Sequence, residues 1–234
     1  MARTPIARRW IGITLLVLII GGFGCNPLIA PLYLLGVFNK PTIPPEHPFY
    51  EKARADKDKR NIKVVLLPSR GQNVPVDFAG SEVKLATMFA GKLTAGFADN
   101  KEKVTIVPVS DIEKFKQEHE DWAAMDPREI GKKFKADYVI DMELSALSLH
   151  PKASHKQFLQ GNVRVSLSVI DVEKAGEEGV WRSEYTRQYP ATGPQAVDSE
   201  MSPERFLQQF FFRAAIDLSW KLTAHPTSEH HAND

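Results

Sequence analysis

Three acidic side chains recur in one short segment, residues 137–144, whose polar and apolar residues alternate. Asp137, Asp141 and Glu143 fall on one side of a chain with a period of two, where alternate positions lie about 7 Å apart. Carboxylates grouped in this way could bind a metal ion or act as a general acid and base. A strand face that meets solvent or cross-strand arginine and lysine has the same pattern, and we favour that interpretation. Asp137 could instead fix the turn before the strand through its carboxylate.

The histidines give no pattern that is typical of a catalytic or metal site. His150 and His155 stand five residues apart in a polar stretch without a carboxylate motif, which favours a surface loop. His230 and His231 are adjacent in the polar tail and are assigned no role. The serines lack the context of a nucleophile elbow, and the glycines form no phosphate-cradling loop. We therefore predict that the chain is not an enzyme, with no catalytic residue, no metal and no cofactor.

The only cysteine of the chain, Cys25, stands where an export signal would end. Arginines at positions 3, 8 and 9 precede an apolar run at 10–20, and Gly21-Gly22-Phe23-Gly24 follows it. A basic start, an apolar core and small residues before a cleavage site describe an export signal. With cysteine directly after the small residues, the N-terminus resembles a bacterial lipoprotein signal. That resemblance implies acylation of Cys25, for which incorporation of palmitate is the test. A single cysteine also excludes an intrachain disulfide and a cysteine-based zinc site.

Two other interpretations of the N-terminus stay open. Residues 11–38 are apolar enough to cross a hydrocarbon core of about 30 Å as an uncleaved anchor. Pro27 and Pro31 would kink such a helix, and Asn26 would sit unpaired near mid-membrane. A cleaved, secreted protein is the third interpretation. All three export the body, so we predict a bacterial envelope protein that faces the periplasm and attaches to the membrane through a lipid or an N-terminal helix. The outer membrane is favoured over the inner.

Composition divides the rest of the chain into a tether, one domain and a tail. The 234 residues, 43% hydrophobic and 25% charged, fit one globular domain with appendages. The net charge of +1 gives no basis for nucleic-acid binding. Residues 1–24 are the predicted signal, 25–60 a tether that is first apolar and then proline-rich and charged, 61–225 the globular domain and 226–234 a flexible tail.

Hydrophobic periodicity within 61–225 predicts an α/β (α+β) fold in the order β-α-β-α-α-β-β-β-α. The predicted strands are 62–68, 104–109, 137–144, 162–172 and 180–189. Strands separated by helices favour parallel pairing and the later hairpins must be antiparallel, so we expect a mixed sheet of about five strands. The first strand is expected to end at Pro68, with a loop at 69–80. The strand at 137–144 is expected to have one face on the core and the other in water.

Three helix starts are predicted from short polar signatures. Ser110 and Glu113 have the spacing of a capping box. Asp126 precedes Pro127, and Ser202 precedes Pro203, which is the pattern of a cap followed by proline at the first helical position.

The last helix contains three consecutive phenylalanines at 210–212, which cannot all point inward. We expect Phe212, on the side of Arg213, to be partly exposed. An exposed ring on a soluble domain is a possible partner surface, so Phe212 and Arg213 are the predicted contact residues.

The junction at residues 129–140, a helix with Gly131 followed by Ala136-Asp137-Tyr138 and a strand, resembles one shared by a group of envelope proteins. The group comprises the N-terminal domain of TolB, the curli secretion lipoprotein CsgG and the lipoprotein activators of penicillin-binding proteins. Other matching elements are Leu66-Leu67-Pro68, the helix with Leu85-Ala86 and Leu93, the strand 104–107, the strand ending at 169–172 and Val180-Trp181. The resemblance covers about residues 61–222 and implies a fold but no catalytic residue. The connections are too short for the membrane hairpins of a curli-type pore.

Taken together, these patterns predict a membrane-anchored envelope lipoprotein that binds or scaffolds another envelope protein. One alternative is an accessory subunit of an envelope transport or secretion complex, in which the chain could form an oligomer. A second alternative is a hydrolase of envelope material, built on Asp137 and Asp141.

Overall fold

A computed structural model describes residues 42–47, 61–151, 157–196 and 201–227. Chain contacts separate residues 1–42 from a unit of residues 43–234. The predicted signal, Cys25 and most of the predicted tether lie outside the described residues, as do His155, His230 and His231.

Nine strands and four α-helices form the described part of the chain. The strands are β1 (Thr42–Ile43), β2 (Ile62–Asn73), β3 (Val104–Ile106), β4 (Tyr138–Ser148), β5 (Phe158–Leu159), β6 (Gly161–Asp171), β7 (Val180–Tyr189), β8 (Gln195–Ala196) and β9 (His225–Pro226). The helices are α1 (Ser81–Asp99), α2 (Val109–Glu118), α3 (Pro127–Lys133) and α4 (Pro203–Trp220). Short 3-10 turns occur at Val76–Phe78, Trp122–Ala124 and Glu177–Gly179.

Five of these strands form one mixed sheet in the order β3-β2-β4-β6-β7. β2 runs parallel to β3 and β4, whereas β4, β6 and β7 form an antiparallel meander. Parallel pairing follows each helical crossover and antiparallel pairing follows each hairpin, as the connections require. The predicted fold class and element order are confirmed.

The sheet has helices on both faces, but the two faces are covered unequally. The larger core lies between the sheet and helices α1 and α4, and it takes Tyr138, Ile140, Met142 and Leu144 from β4. A smaller core, which includes Val139, lies under α2 and α3. The expectation that the second face of β4 is wet is therefore wrong at Val139, where two short helices shield it.

The prediction that the first strand ends at Pro68 is wrong, because β2 continues to Asn73. Even-numbered residues of β2 turn their backbone groups toward the β3 side, since Val64 O accepts from Val107 N at 2.9 Å. β3 pairs only with Ile62–Val64, so Pro68 faces an open edge where a missing N–H breaks no ladder bond. Its carbonyl accepts a hydrogen bond from Lys116 Nζ.

Two of the three predicted helix caps are confirmed. Asp126 Oδ1 accepts from Arg128 N at 2.8 Å, and Ser202 Oγ accepts from Arg205 N at 3.3 Å. The capping box at Ser110 is wrong, because α2 begins at Val109 and no side chain caps it. The carbonyl of Pro108 accepts from the next turn instead, with Asp111 N at 3.0 Å.

Candidate functional site on the face of helices α1 and α4

Helix α4 exposes one aromatic ring from an otherwise buried aromatic cluster. Phe210 and Phe211 are fully buried, whereas Phe212 is 45% exposed. Successive helical residues point about 100° apart, so three consecutive rings cannot share one core. The expected exposure of Phe212 is found, and its role as a partner contact stays a prediction.

Lys92 of α1 lies over the exposed ring, with its Nζ 3.9 Å from the centroid of Phe212. An ammonium group above a ring face is attracted by the ring quadrupole. The two helices approach closely at their C-terminal ends, where a Cβ on Gly96 would lie 2.9 Å from Thr223 Oγ1. Asn100 Nδ2 also donates to the carbonyl of Ala224 at 2.9 Å. The contact of Lys92 with Phe212 is therefore held by well-packed helices.

After Glu82 in α1 and Glu204 in α4, the next charged residues of both helices are all positive. Between Lys84 and Ala98 of α1, and between Arg205 and Ile216 of α4, the sequence has four basic residues and no acidic one. We call the surface formed by Lys84, Met88, Lys92, Arg205, Phe212 and Arg213 the α1–α4 face. Lys84, Arg205 and Phe212 are exposed, and the other three residues are partly buried.

Two acidic residues that border the α1–α4 face, Asp217 and Glu204, have partners of their own. Asp217 Oδ2 accepts from Tyr185 Oη at 2.6 Å and from Arg187. Burial, and then the negative charge of Asp217, raises the pKa of Tyr185 far above its ordinary value, so the phenol stays protonated. Glu204 lies in the first turn of α4, where backbone and Ser202 hydrogen bonds lower its pKa. These acids join α4 to β7 or stabilise the start of the helix.

Of the predicted acidic residues, Asp137 joins two strands rather than closing the turn before β4. Its Oδ2 accepts from Lys63 N at 2.8 Å, and its own N–H donates to Lys63 O at 2.7 Å. The bond crosses from β4 to β2, so the predicted local role is corrected. The turn is made instead by Lys135, which has a φ of 53°.

Asp141 and Glu143 lie on the open part of the second sheet face. In β6, Ser168 stands opposite Asp141 and Ser166 opposite Glu143. Burial, and then the charge of Glu143, raises the pKa of Asp141, while Lys116 opposes the shift. Within the described ranges, no three His, Cys, Asp or Glu side chains are grouped as a metal site.

Two surface clefts lie away from these carboxylates. One, of about 520 Å³, has Phe115, His119 and Phe134 among its lining residues. The other, of about 460 Å³, runs between α1, β3 and the start of α2. The threonine hydroxyls in the second cleft donate back into α1, Thr87 to Val83 O and Thr94 to Ala90 O at 2.8 Å each. Neither cleft is lined by Asp137, Asp141 or Glu143.

Residues 43–47, which the sequence places in the tether, pack against the domain. The amide of Glu46 donates to Lys221 O at 2.8 Å, and its carboxylate lies 2.8 Å from Lys221 Nζ. His47 contacts the ring of Trp181, with centroids 5.4 Å apart, and burial lowers its pKa. Pro45 is buried. The described part of the predicted tether is therefore fixed at the C-terminal end of α4.

No sequence pattern predicted the contacts of Glu46 with Lys221 or of Lys92 with Phe212, since the partners lie far apart along the chain. His150, predicted in a surface loop, is partly buried, and its Nδ1 lies 2.8 Å from Phe158 O. Among the residues that the structure describes, no helix combines the length and apolarity needed to cross a membrane.

Comparison with known proteins gave matches only among solved structures. No protein-family model matches the chain, and neither does any curated protein. A PelC dodecamer from Paraburkholderia phytofirmans matches with 16% identity and a TM-score of 0.42, over 70% of this chain and 89% of that one. A lipoprotein from Neisseria meningitidis matches with 12% identity and a TM-score of 0.42, over 68% and 98%. The C-terminal domain of LpoB from Salmonella enterica matches with 14% identity and a TM-score of 0.28, over 59% and 91%. The resemblance to TolB and CsgG stays a prediction.

Proposed function

We propose that this chain is a membrane-anchored lipoprotein of the bacterial cell envelope whose domain binds or scaffolds another envelope component without catalysis. The position of Cys25 carries the proposal. It directly follows Gly24 at the end of a basic and then apolar segment, which is where a lipoprotein is cleaved and acylated.

The mechanism is tethering. The chain between Cys25 and Ile43 can extend to at most about 60 Å, which confines the domain to a layer beside the membrane. Confinement raises the effective concentration of the domain for any partner in the same layer, without a new contact. Because one acyl chain binds a membrane only marginally, the double acylation of a lipoprotein suits a lasting anchor.

The non-enzymatic part of the proposal is supported by what the acidic residues do. Asp137 is occupied by the backbone of Lys63, and neither described cleft is lined by Asp141 or Glu143. A hydrolase needs an acid and a base beside a substrate cleft. Neither of these two clefts therefore supports the hydrolase alternative.

Metabolic labelling with radioactive palmitate tests the anchor. Wild-type protein is expected to incorporate label and to sediment with membranes, whereas Cys25→Ala is expected to do neither. Label in the variant equal to the wild type, or no label in the wild type, would contradict acylation. An unlabelled Cys25→Ala protein that stays in the membrane fraction would show an uncleaved helix instead. Density separation of the two membranes then decides between the outer membrane, which we favour, and the inner.

Chemical crosslinking in intact cells tests the binding role. After pull-down of the anchored protein, we expect one envelope protein to recur in the crosslinked fraction of the wild type. The matched control is Cys25→Ala, which keeps the domain but removes the proposed confinement, so its yield should fall. An unchanged yield would show that tethering does not contribute.

A further inference from the structure

We infer that the α1–α4 face lies against the anionic phospholipid surface of the membrane to which the chain is anchored. The inference rests on the proposed function, because anchoring brings the domain to that surface. It goes further by assigning one face of the domain to lipid headgroups and by naming the residues that contact them.

The first observation is the exposed ring of Phe212 beneath the ammonium group of Lys92. An aromatic side chain can lie at the boundary between headgroups and acyl chains, while a neighbouring lysine keeps its charge among the headgroups. The contact of Lys92 with the ring keeps the charge and the aromatic group side by side on the surface of the domain.

The second observation is the distribution of charge. The α1–α4 face contributes four positive charges and Arg3, Arg8 and Arg9 three, so the remaining residues sum to −6 against a total of +1. A basic surface is attracted to anionic lipid within a Debye length, and an acidic remainder is repelled. Exposed Glu143 lies on the opposite side of the sheet. The charge asymmetry therefore turns the α1–α4 face toward the membrane.

The third observation is where the chain enters the domain. Glu46 is bonded to Lys221, directly after α4, the helix that carries Phe212. Nine residues separate Phe212 from Lys221, which is about 14 Å along a helix. The entry point of the tether and the exposed ring thus lie about 14 Å apart on one helical layer.

Lysine acetylation followed by mass spectrometry tests this inference on the full-length protein. The protein is reconstituted in phosphatidylglycerol vesicles and, separately, in phosphatidylcholine vesicles. We expect Lys84 and Lys92 to react severalfold more slowly on phosphatidylglycerol than on phosphatidylcholine. Lys114 of α2, whose side chain is 75% exposed, is the internal control and should react equally in both.

Matched variants distinguish protection by contact of the α1–α4 face with lipid from a general effect of the charge of the protein. Combining Phe212→Ser with Lys92→Glu should abolish the slower reaction of Lys84 on phosphatidylglycerol. Lys114→Glu makes the same change of charge on α2, and Phe158→Ser removes another exposed ring, 41% exposed in β5. Both controls should leave the protection of Lys84 and Lys92 unchanged. Thermal melts of every variant confirm that the fold is retained.

The outcomes distinguish the face from the anchor. Equal reactivity of Lys92 on both lipids, in protein that floats with the vesicles, would overturn the inference while the anchor stands. Loss of flotation from phosphatidylcholine in Cys25→Ala, with protection on phosphatidylglycerol kept, would support both. Protection that appears only when a second protein is added would also overturn the inference, because the face would then bind protein.

Discussion

The two sides of the central sheet differ in how much they bury and in what they expose. On the α1–α4 side, Phe89, Phe97, Phe206, Phe210 and Phe211 are each at most 1% exposed. On the other side, α2 and α3 cover only part of the sheet, and beyond them lie the half-buried Asp141 and the exposed Glu143.

This difference changes the meaning of the acidic residues. β4 contributes to both sides at once, with Ile140 and Met142 in the larger core and Asp141 and Glu143 opposite. Its carboxylates therefore lie on the less covered side of the sheet, beyond α2 and α3. Phe212 is harder to explain by packing, because the helix that carries it already supplies three buried rings. Its exposed ring is therefore available for the contact outside the domain that is proposed above.

The largest difference in stability is expected between truncation of the buried ring of Phe210 and truncation of the exposed ring of Phe212. Phe210→Ala is expected to lower the free energy of unfolding by about 3–5 kcal/mol, because it leaves a cavity beside Phe206 and Tyr189. Phe212→Ala should change it by less than about 0.5 kcal/mol, since the ring is at the surface. Urea unfolding of both variants measures the difference. Similar losses would mean that Phe212 belongs to the core.

Two glycine substitutions should move stability in opposite directions. A Cβ on Gly131 in α3 would lie 2.6 Å from Val172 Cγ2 and 2.8 Å from Val139 Cγ2. Gly131→Ala is therefore expected to cost about 1–3 kcal/mol. A Cβ on Gly91 in α1 would meet no atom within 4 Å, so Gly91→Ala should add up to about 1 kcal/mol through helix propensity. The denaturant midpoints of both variants report these effects, provided that the dependence of the unfolding free energy on denaturant is unchanged. A Gly131→Ala variant as stable as the wild type would show that α3 packs loosely on the sheet.

Asp137 and Asp141 should respond oppositely to amide substitution. Asp137→Asn weakens the acceptor of Lys63 N–H and is expected to cost about 1 kcal/mol. The pKa of Asp141 is raised above its ordinary 3.8 by burial and by Glu143, so the unfolded chain releases this proton at lower pH than the fold does. Stability therefore falls as pH rises through the interval between 3.8 and the raised pKa.

Asp141→Asn removes that loss and should raise the melting temperature at neutral pH. Below pH 3.8 Asp141 is protonated in both the folded and the unfolded chain, so the difference in melting temperature between Asp141→Asn and the wild type should disappear. Melting curves across this range supply the check. A lower melting temperature for Asp141→Asn at neutral pH would mean that attraction to Lys116 outweighs the burial.

The smallest expected effect concerns the segment 43–47. Burial lowers the pKa of His47 below its ordinary 6.5, with Lys174 adding to the shift and Asp171 opposing it. Between the lowered pKa and 6.5, the detached segment binds a proton that the docked one does not, so docking weakens as pH falls through this window. The protection factor of the Glu46 amide, which is the intrinsic exchange rate divided by the observed rate at the same pH, should fall in mild acid, and in His47→Gln it should not. An equal fall in the variant would assign the effect to another group.

Local signals predicted well, and contacts between distant residues did not. The caps at Asp126 and Ser202 were readable because each partner lies within three residues. The partner of Asp137 is 74 residues away and that of Glu46 is 175 away, beyond any periodicity. β2 continues past Pro68 because β3 is short and forms no ladder with that part of β2. For the site, helical geometry predicted the exposure of Phe212, whereas the position of Lys92 above it depends on how two helices pack.

Photocrosslinking in intact cells tests the central claim most directly. Benzoylphenylalanine replaces Phe212 in one strain and Phe158, a ring of similar exposure, in another. With the domain anchored and its α1–α4 face on the membrane, position 212 should give a phospholipid adduct and position 158 should not. A protein adduct at 212, or equal lipid adducts at both positions, would contradict that orientation.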